Sequence, residues 1–228
     1  MIETLALAGL MGAASWAATG LVRANAPRLG LISHPNHRSS HKLATPHGGG
    51  LGVVLAGTIS GAWLSYSAGW NLGWGILALS LICAGTGLWD DLRPLPPAPR
   101  LLVVLALCAA LLASAAGIPP LQLPLGVEIA GGVLFPLAVL AGPWWINLFN
   151  FMDGTDGIAS VQAISMLLAA AGIAAWAAPG VTAEPVWIWI LCLAGASCGF
   201  LAHNWPPARI FLGDVGSMYL GFMLFVCA

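Results

Sequence analysis

Apolar residues run along this chain in long blocks that charged residues interrupt only at intervals: uncharged stretches cover residues 4–22, 48–89, 101–127, 129–152, 157–183, 185–208 and 215–228. A helix that crosses a bilayer needs about 20 predominantly apolar residues. The pattern therefore predicts a first span near residues 4–22 and two more within 48–89, folded back at Ser67-Ala68-Gly69-Trp70-Asn71. A fourth begins at Arg100 and stops before Gly117-Ile118-Pro119-Pro120, and a fifth covers 133–149, with bends expected at Pro136 and Pro143. The sixth covers 157–177 and the seventh 186–203. An eighth starts near Ser217 and meets the chain end after about a dozen residues, about 18 Å of helix and less than the hydrocarbon core. The fold class expected is all-α, a polytopic membrane helix bundle of seven spans plus a partial eighth. It forms one domain over residues 1–228 that reads as cut off at its C-terminus.

Composition narrows the class further. The chain is 59% apolar and 7% charged, against about 25% charged in ordinary soluble domains, which excludes a water-soluble globular protein. Seven Lys+Arg against eight Asp+Glu leave a formal charge of -1, too little basic field for nucleic acid. Cys83, Cys108, Cys192, Cys198 and Cys227 all lie in apolar stretches without a Cys-x-x-Cys pair and read as small core residues. Glu3 stands where a signal peptide would carry basic residues, so residues 1–22 read as a retained span.

Parity fixes the expected orientation, because alternate connections share one side of the membrane. One set holds every basic residue, Arg23, Arg28, Arg38, Lys42, Arg93, Arg100 and Arg209, and the other holds Glu3, Glu128 and Glu184. The positive-inside rule makes the first set cytoplasmic and the N-terminus external. The same set contains all five aspartates and all five histidines, which that rule does not require. Like-charged carboxylates brought together need protons or a cation, and aspartates near phosphate chemistry commonly hold Mg²⁺.

Four polar clusters carry candidate chemistry. In the first loop, Lys42 offers phosphate a point charge and Gly48-Gly49-Gly50 allows close backbone approach, while Arg23 and Arg28 read as topological anchors. His34, His37, His41 and His47 lack the spacing of a zinc site. Asp90-Asp91 ends the third span, where acidic residues oppose the helix dipole; neighbours point about 100° apart, so one could serve as base and the other as ligand or structural acceptor. Asn147 to Gly157 carries two amides and two carboxylates at a helix junction, tolerated at membrane depth only where it lines a cavity or is buried in protein. It lacks the further ligands of an EF-hand. Gly213-Asp214-Val215-Gly216-Ser217 opens a helix whose free N–H groups favour an anion, with Asp214 as a cation ligand, or else is a simple cap.

Taken in order, His-Lys-x-x-x-Pro-x-Gly-Gly, Asp-Asp, Asn-x-x-Asn-Phe-x-Asp-Gly-x-Asp-Gly and Phe-x-Gly-Asp-x-Gly-Ser resemble the polyprenyl-phosphate N-acetylhexosamine-1-phosphate transferases, glycosyltransferase family 4, over about residues 34–222. The resemblance implies an enzyme of the bacterial inner membrane, working at its cytoplasmic face. It would transfer sugar 1-phosphate from a UDP-N-acetylhexosamine to undecaprenyl phosphate, giving an undecaprenyl-diphospho-sugar and UMP for O-antigen-like or other envelope glycans. By motif position Asp90 and Asp91 match the catalytic acidic pair, Asp214 the Mg²⁺ ligand (Mn²⁺ as a substitute), and Phe211 the aromatic that stacks on uracil. Asn150, Asp153 and Asp156 match the nucleotide and metal region, Asn150 also as a metal ligand, and Lys42 the loop lysine near the nucleotide.

Family members usually continue for several more spans with a His-rich segment, so a truncated, inactive member is one alternative. Asn150-Phe151-Met152-Asp153 resembles the N-acetylhexosamine branch more than the muramyl-pentapeptide branch, which remains the other. A transporter is the rival of a different class, but its ionisable groups should lie at the bilayer midplane, not at span ends on one face. The resemblance also implies a homodimer, although lipid-facing and partner-facing surfaces are equally apolar here.

Overall fold

The structure, a computed structural model, describes residues 1–33, 44–114, 120–122 and 128–227. Lys42, His34, His37 and His41 lie outside the described residues. Eight α-helices alternate in direction: α1 (Ile2–Leu29), α2 (Gly50–Ser67), α3 (Asn71–Leu92), α4 (Pro97–Ser114), α5 (Gly131–Met152), α6 (Ile158–Ala177), α7 (Pro185–Asn204) and α8 (Gly213–Val226). Two-residue antiparallel pairs close two connections, β1 (Ile32–Ser33) with β2 (Thr45–Pro46), and β3 (Leu121–Gln122) with β4 (Glu128–Ile129). Six helices are long and apolar enough to cross a membrane, and the protein is a multi-pass membrane protein. α2 matches α4 in length, but its four glycines, three serines and one threonine hold its hydropathy below theirs.

The observed boundaries revise the expected ones at three places. α1 extends to Leu29, through Pro27, before Gly30 turns left-handed at φ +74° and ends it. α5 runs as one helix from Gly131 to Met152, beyond both expected ends and through Pro136 and Pro143, and the Pro143 carbonyl accepts a bond from Asn147 Nδ2 at 2.8 Å. α8 starts at Gly213, four residues before the expected position, and is the centre of the bundle: every residue from Val215 to Leu224 is buried. It packs against α2, α3 and α5, with α6 beyond. An apolar helix without a polar face belongs in such a position.

Elsewhere size sorts many positions, although Trp187, Trp189, Phe149 and Phe200 belong to the core. Large residues such as Trp16, Trp63, Trp144, Phe151 and Trp176 point outward, while small and weakly polar ones, Ser15, Thr19, Ser60, Ser80, Ser197 and Ser217, point inward. In lipid the outside is as apolar as the core, so close packing of small residues replaces the hydrophobic drive of water. Cys83, Cys108 and Cys192 are core residues as expected, but Cys198 is exposed and Cys227 half-buried.

Alternation gathers the C-termini of α1, α3, α5 and α7 and the N-termini of α2, α4, α6 and α8 at one end. Every described Arg and every Asp sits there.

Candidate active site

Two short segments are zipped together at that end. Phe211 N donates to Pro46 O at 2.9 Å, Gly49 N to Phe211 O at 2.9 Å, and Gly50 N to Leu212 O at 2.8 Å. This anchors residues 46–50 against the start of α8. Gly213 adopts φ +76°, and a Cβ there would lie 2.8 Å from both Asp91 Oδ2 and the Gly48 nitrogen, so glycine is required by conformation and by space. A Cβ on Gly87 would collide with the Asp214 backbone, and one on Gly50 with Gly216. These glycines let α2 and α3 reach the α8 backbone.

The consecutive aspartates of α3 take different partners. Asp91 Oδ1 accepts the Asp214 amide at 2.9 Å and Oδ2 the Val215 amide at 3.0 Å, while His47 Nδ1 lies 3.4 Å from Oδ1. The free amides of α8 therefore serve Asp91, which corrects the expectation that they are open to an anionic ligand: α3 itself supplies the anion. The simple-cap alternative is also displaced, because the N-cap, Leu212, makes no side-chain capping bond and the cap comes from another helix. Asp90 turns towards α4. Its Oδ1 accepts the Leu95 amide at 2.7 Å and its Oδ2 the Arg100 Nη1 at 2.7 Å. Both bonds explain acidic residues at the negative end of a helix dipole: each finds donors beyond its own helix.

Arg100 joins three helices. Besides Asp90 it reaches Asp214 Oδ2 (3.4 Å, α8) and Asn147 Oδ1 (3.4 Å, α5). On the other side of Asp214, Asn150 Nδ2 donates to Oδ1 at 2.8 Å and to Ser217 Oγ at 2.9 Å. Asp153, at the end of α5, completes the group. Burial first, then the charges of Asp214 and Asp91, push its carboxyl well above the usual carboxylate range, opposed by a hydrogen bond from the Gly213 amide.

Asp156 and Phe211 stand beside this cluster. Asp156 Oδ2 accepts the Ala208 amide at 2.9 Å, and Asn204 bonds the Gly157 amide at 2.9 Å and the Ile210 carbonyl at 3.0 Å. Together they tie the α5–α6 junction to the loop before α8. Phe211 is half-buried and fixed through its backbone. An apolar groove of about 520 Å³, lined by Leu101, Leu105, Leu140, Pro143, Trp144, Asn147 and Leu148, opens between α4 and α5 beside Arg100.

Sequence reading brought Asp90, Asp91, Asn150, Asp153 and Asp214 forward, and the fold gathers them. It took Arg100 as the start of a span and as one of the basic residues that set the orientation, and gave no site role to His47, Asn147 or Ser217. A signal for Arg100 was present: an arginine in the first turn of an apolar helix opposes the dipole and needs an acidic partner.

Four carboxylates face one guanidinium and one imidazole, an excess of negative charge suited to a cation. Among the described residues no three of His, Cys, Asp and Glu are arranged to hold a metal ion.

The architecture and the acidic end define a polytopic membrane protein with a charged site at one membrane face. The family described as Glycosyl transferase family 4 matches residues 73–228, and the chain belongs to it. The chain is 31% identical, over 98% of its length and 59% of the relative's, to the decaprenyl-phosphate N-acetylglucosaminephosphotransferase of Mycobacterium tuberculosis. It is 34% identical, over 79% of its length and 52% of the relative's, to the phospho-N-acetylmuramoyl-pentapeptide-transferase of Synechococcus elongatus. A Bacillus subtilis protein, a probable undecaprenyl-phosphate N-acetylglucosaminyl 1-phosphate transferase, is 28% identical over 90% of this chain and 57% of its own length. The chain spans between half and three fifths of these relatives.

Proposed function

We propose that this protein moves N-acetylhexosamine 1-phosphate from a UDP-linked donor to undecaprenyl phosphate, at the cytoplasmic face of the bacterial inner membrane. The observation that carries this reading is the convergence of Asp90, Asp91, Asp153 and Asp214 with Arg100 and Asn150 at one end of the bundle. There a soluble nucleotide and a lipid headgroup could meet. An oxygen of the lipid phosphate attacks the sugar-bearing phosphorus, the bond from that phosphorus to the bridging oxygen breaks, and UMP leaves with the electron pair. A carboxylate of the acidic pair takes the proton carried by the attacking phosphate. We favour this direct attack over a covalent aspartyl intermediate.

Phosphoryl transfer rests on positioning and on neutralising charge at the transferring oxygens. Arg100 supplies one fixed positive charge, and Asp214, with Asn150 and Asp153 beside it, would hold Mg²⁺ or Mn²⁺, which when bound would neutralise the donor diphosphate. Lys42, Asp156 and Phe211 would bind the nucleotide, with Phe211 against uracil. The product would feed O-antigen-like or other envelope glycan synthesis, and the protein would work as a homodimer. The similarity to the N-acetylglucosamine-type relative reaches along almost the whole chain, which supports that branch. The 34% identity to a muramyl-pentapeptide relative keeps UDP-MurNAc-pentapeptide as the second donor to test.

The test is UMP release by the purified chain with undecaprenyl phosphate, each UDP-sugar in turn, with and without Mg²⁺. Metal- and lipid-dependent release with one UDP-N-acetylhexosamine is expected. Release with the pentapeptide donor alone would move the protein to the other branch. Silence with every donor from a folded sample would overturn the reading for this chain.

A further inference from the structure

The acidic pair is not a pair of equivalents. Asp91 points away from solvent, with 7% of its side chain exposed, and both of its oxygens are spent on backbone amides of α8. His47 closes the remaining side at 3.4 Å, and the left-handed Gly213 fills the space against Oδ2. Asp214, one of the two residues whose amides Asp91 holds, carries the carboxylate that meets Arg100 and Asn150 and has 33% of its side chain exposed.

We propose that Asp91 is a positioning residue. Its carboxylate caps α8 from the neighbouring helix and sets where the Asp214 carboxylate stands. Both oxygens of Asp91 are engaged by amides of another helix, so the side chain is held in one place and its position and that of the first turn of α8 are fixed together. Moving it to meet a substrate would leave two α8 amides without a partner in a buried site. The assignment rests on the transfer reaction proposed above only for what Asp214 does there. The helix boundary and the reactive end are thereby made one unit, and the role of Asp91 is read through Asp214.

Two measurements on the full chain in detergent decide this. The first is hydrogen–deuterium exchange over residues 209–220, which needs no activity. Asp91→Asn keeps one acceptor and should speed exchange at the start of α8 about tenfold, and Asp91→Leu, with none, further; Asp90→Asn should leave it unchanged. Unchanged exchange in both Asp91 variants would overturn the capping assignment even if the transferase reading stands.

The second is a double-mutant cycle on UMP release, taken per folded molecule. Asp91→Asn should retain part of the turnover, with KM for the UDP-sugar within about twofold of the parent, and more turnover than Asp91→Leu. Combined with Asp214→Asn it should add little to the loss from Asp214→Asn alone. Equal abolition by Asn and Leu, or losses that multiply with Asp214→Asn, would make Asp91 an independent catalytic group. If the parent releases no UMP with any donor, the transferase reading fails while exchange still decides the cap.

Discussion

Of the helix pairs in this bundle that approach at backbone distance, two are held in different ways. In the α1–α7 seam a Cβ on Gly12 would lie 2.9 Å from the Gly195 carbonyl, one on Gly195 would meet the Ala8 carbonyl, and one on Gly199 the Gly12 carbonyl. Across it His203 stacks on Trp16 at 5.6 Å with Nε2 3.0 Å from the Trp16 carbonyl. The α3–α8 seam begins the same way, with Gly87 against the Asp214 backbone, but ends in two hydrogen bonds from α8 amides to Asp91. Glycine permits contact in both. Only the second seam is fixed by directional bonds to a charged group, which specify how far α8 rises and how it is rotated.

The strongest way to break the comparison is to add one methyl group to each seam. Gly87→Ala forces α3 from the α8 backbone at a cost of about 3 kcal/mol, and by separating Asp91 from its amides should lower turnover per folded molecule more than a hundredfold. Gly199→Ala should cost similar stability and leave turnover per folded molecule near the parent value. Thermal unfolding in detergent together with UMP release would show this, and equal losses of turnover would erase the distinction.

Next in size is Arg100. Arg100→Ala leaves Asp90 and Asp214 without their shared cation and should reduce turnover at least a hundredfold. Arg100→Lys should recover only part, because one ammonium cannot serve three helices with the reach of a guanidinium fork. Full recovery by lysine in the same assay would show that charge alone suffices.

A smaller effect is expected from Asn150→Ala, which removes one amide bonded to both Asp214 and Ser217. The loss should be about 1–2 kcal/mol in unfolding, with about tenfold lower turnover.

The smallest is a slope with pH. The Asp153 carboxyl is raised above its ordinary range, so the folded state binds its proton more tightly than the unfolded chain does. Its contribution is present at acid pH and is lost as pH rises from the ordinary carboxylate range through the raised value. In the presence of chelator, Asp153→Asn should flatten that fall in melting temperature. An identical pH profile for parent and variant would remove Asp153 from the electrostatics of the site.

Much of the architecture was legible because hydrophobic blocks add up along one dimension. The turn at residues 67–71, the limits of α6 and α7, and the gathering of the aspartates at one end all follow from span length and parity. The start of α8 was misplaced, since Gly213 and Asp214 look like loop until the Asp214 and Val215 amides find Asp91. Arg100 was missed as a site residue because its partners come from α3, α5 and α8, and no spacing along α4 points to them.

By itself, then, the sequence determined a membrane bundle with its aspartates at one end, because a charge inside lipid is costly and every uncharged run must cross or turn. Only the tertiary structure decided that Asp90 and Asp91 face different helices, that Asp91 caps α8, and that the short last helix is the core. Those outcomes depend on helix rotation and on hydrogen bonds between residues 123 and 124 positions apart. Such bonds form only after glycines have let the backbones meet.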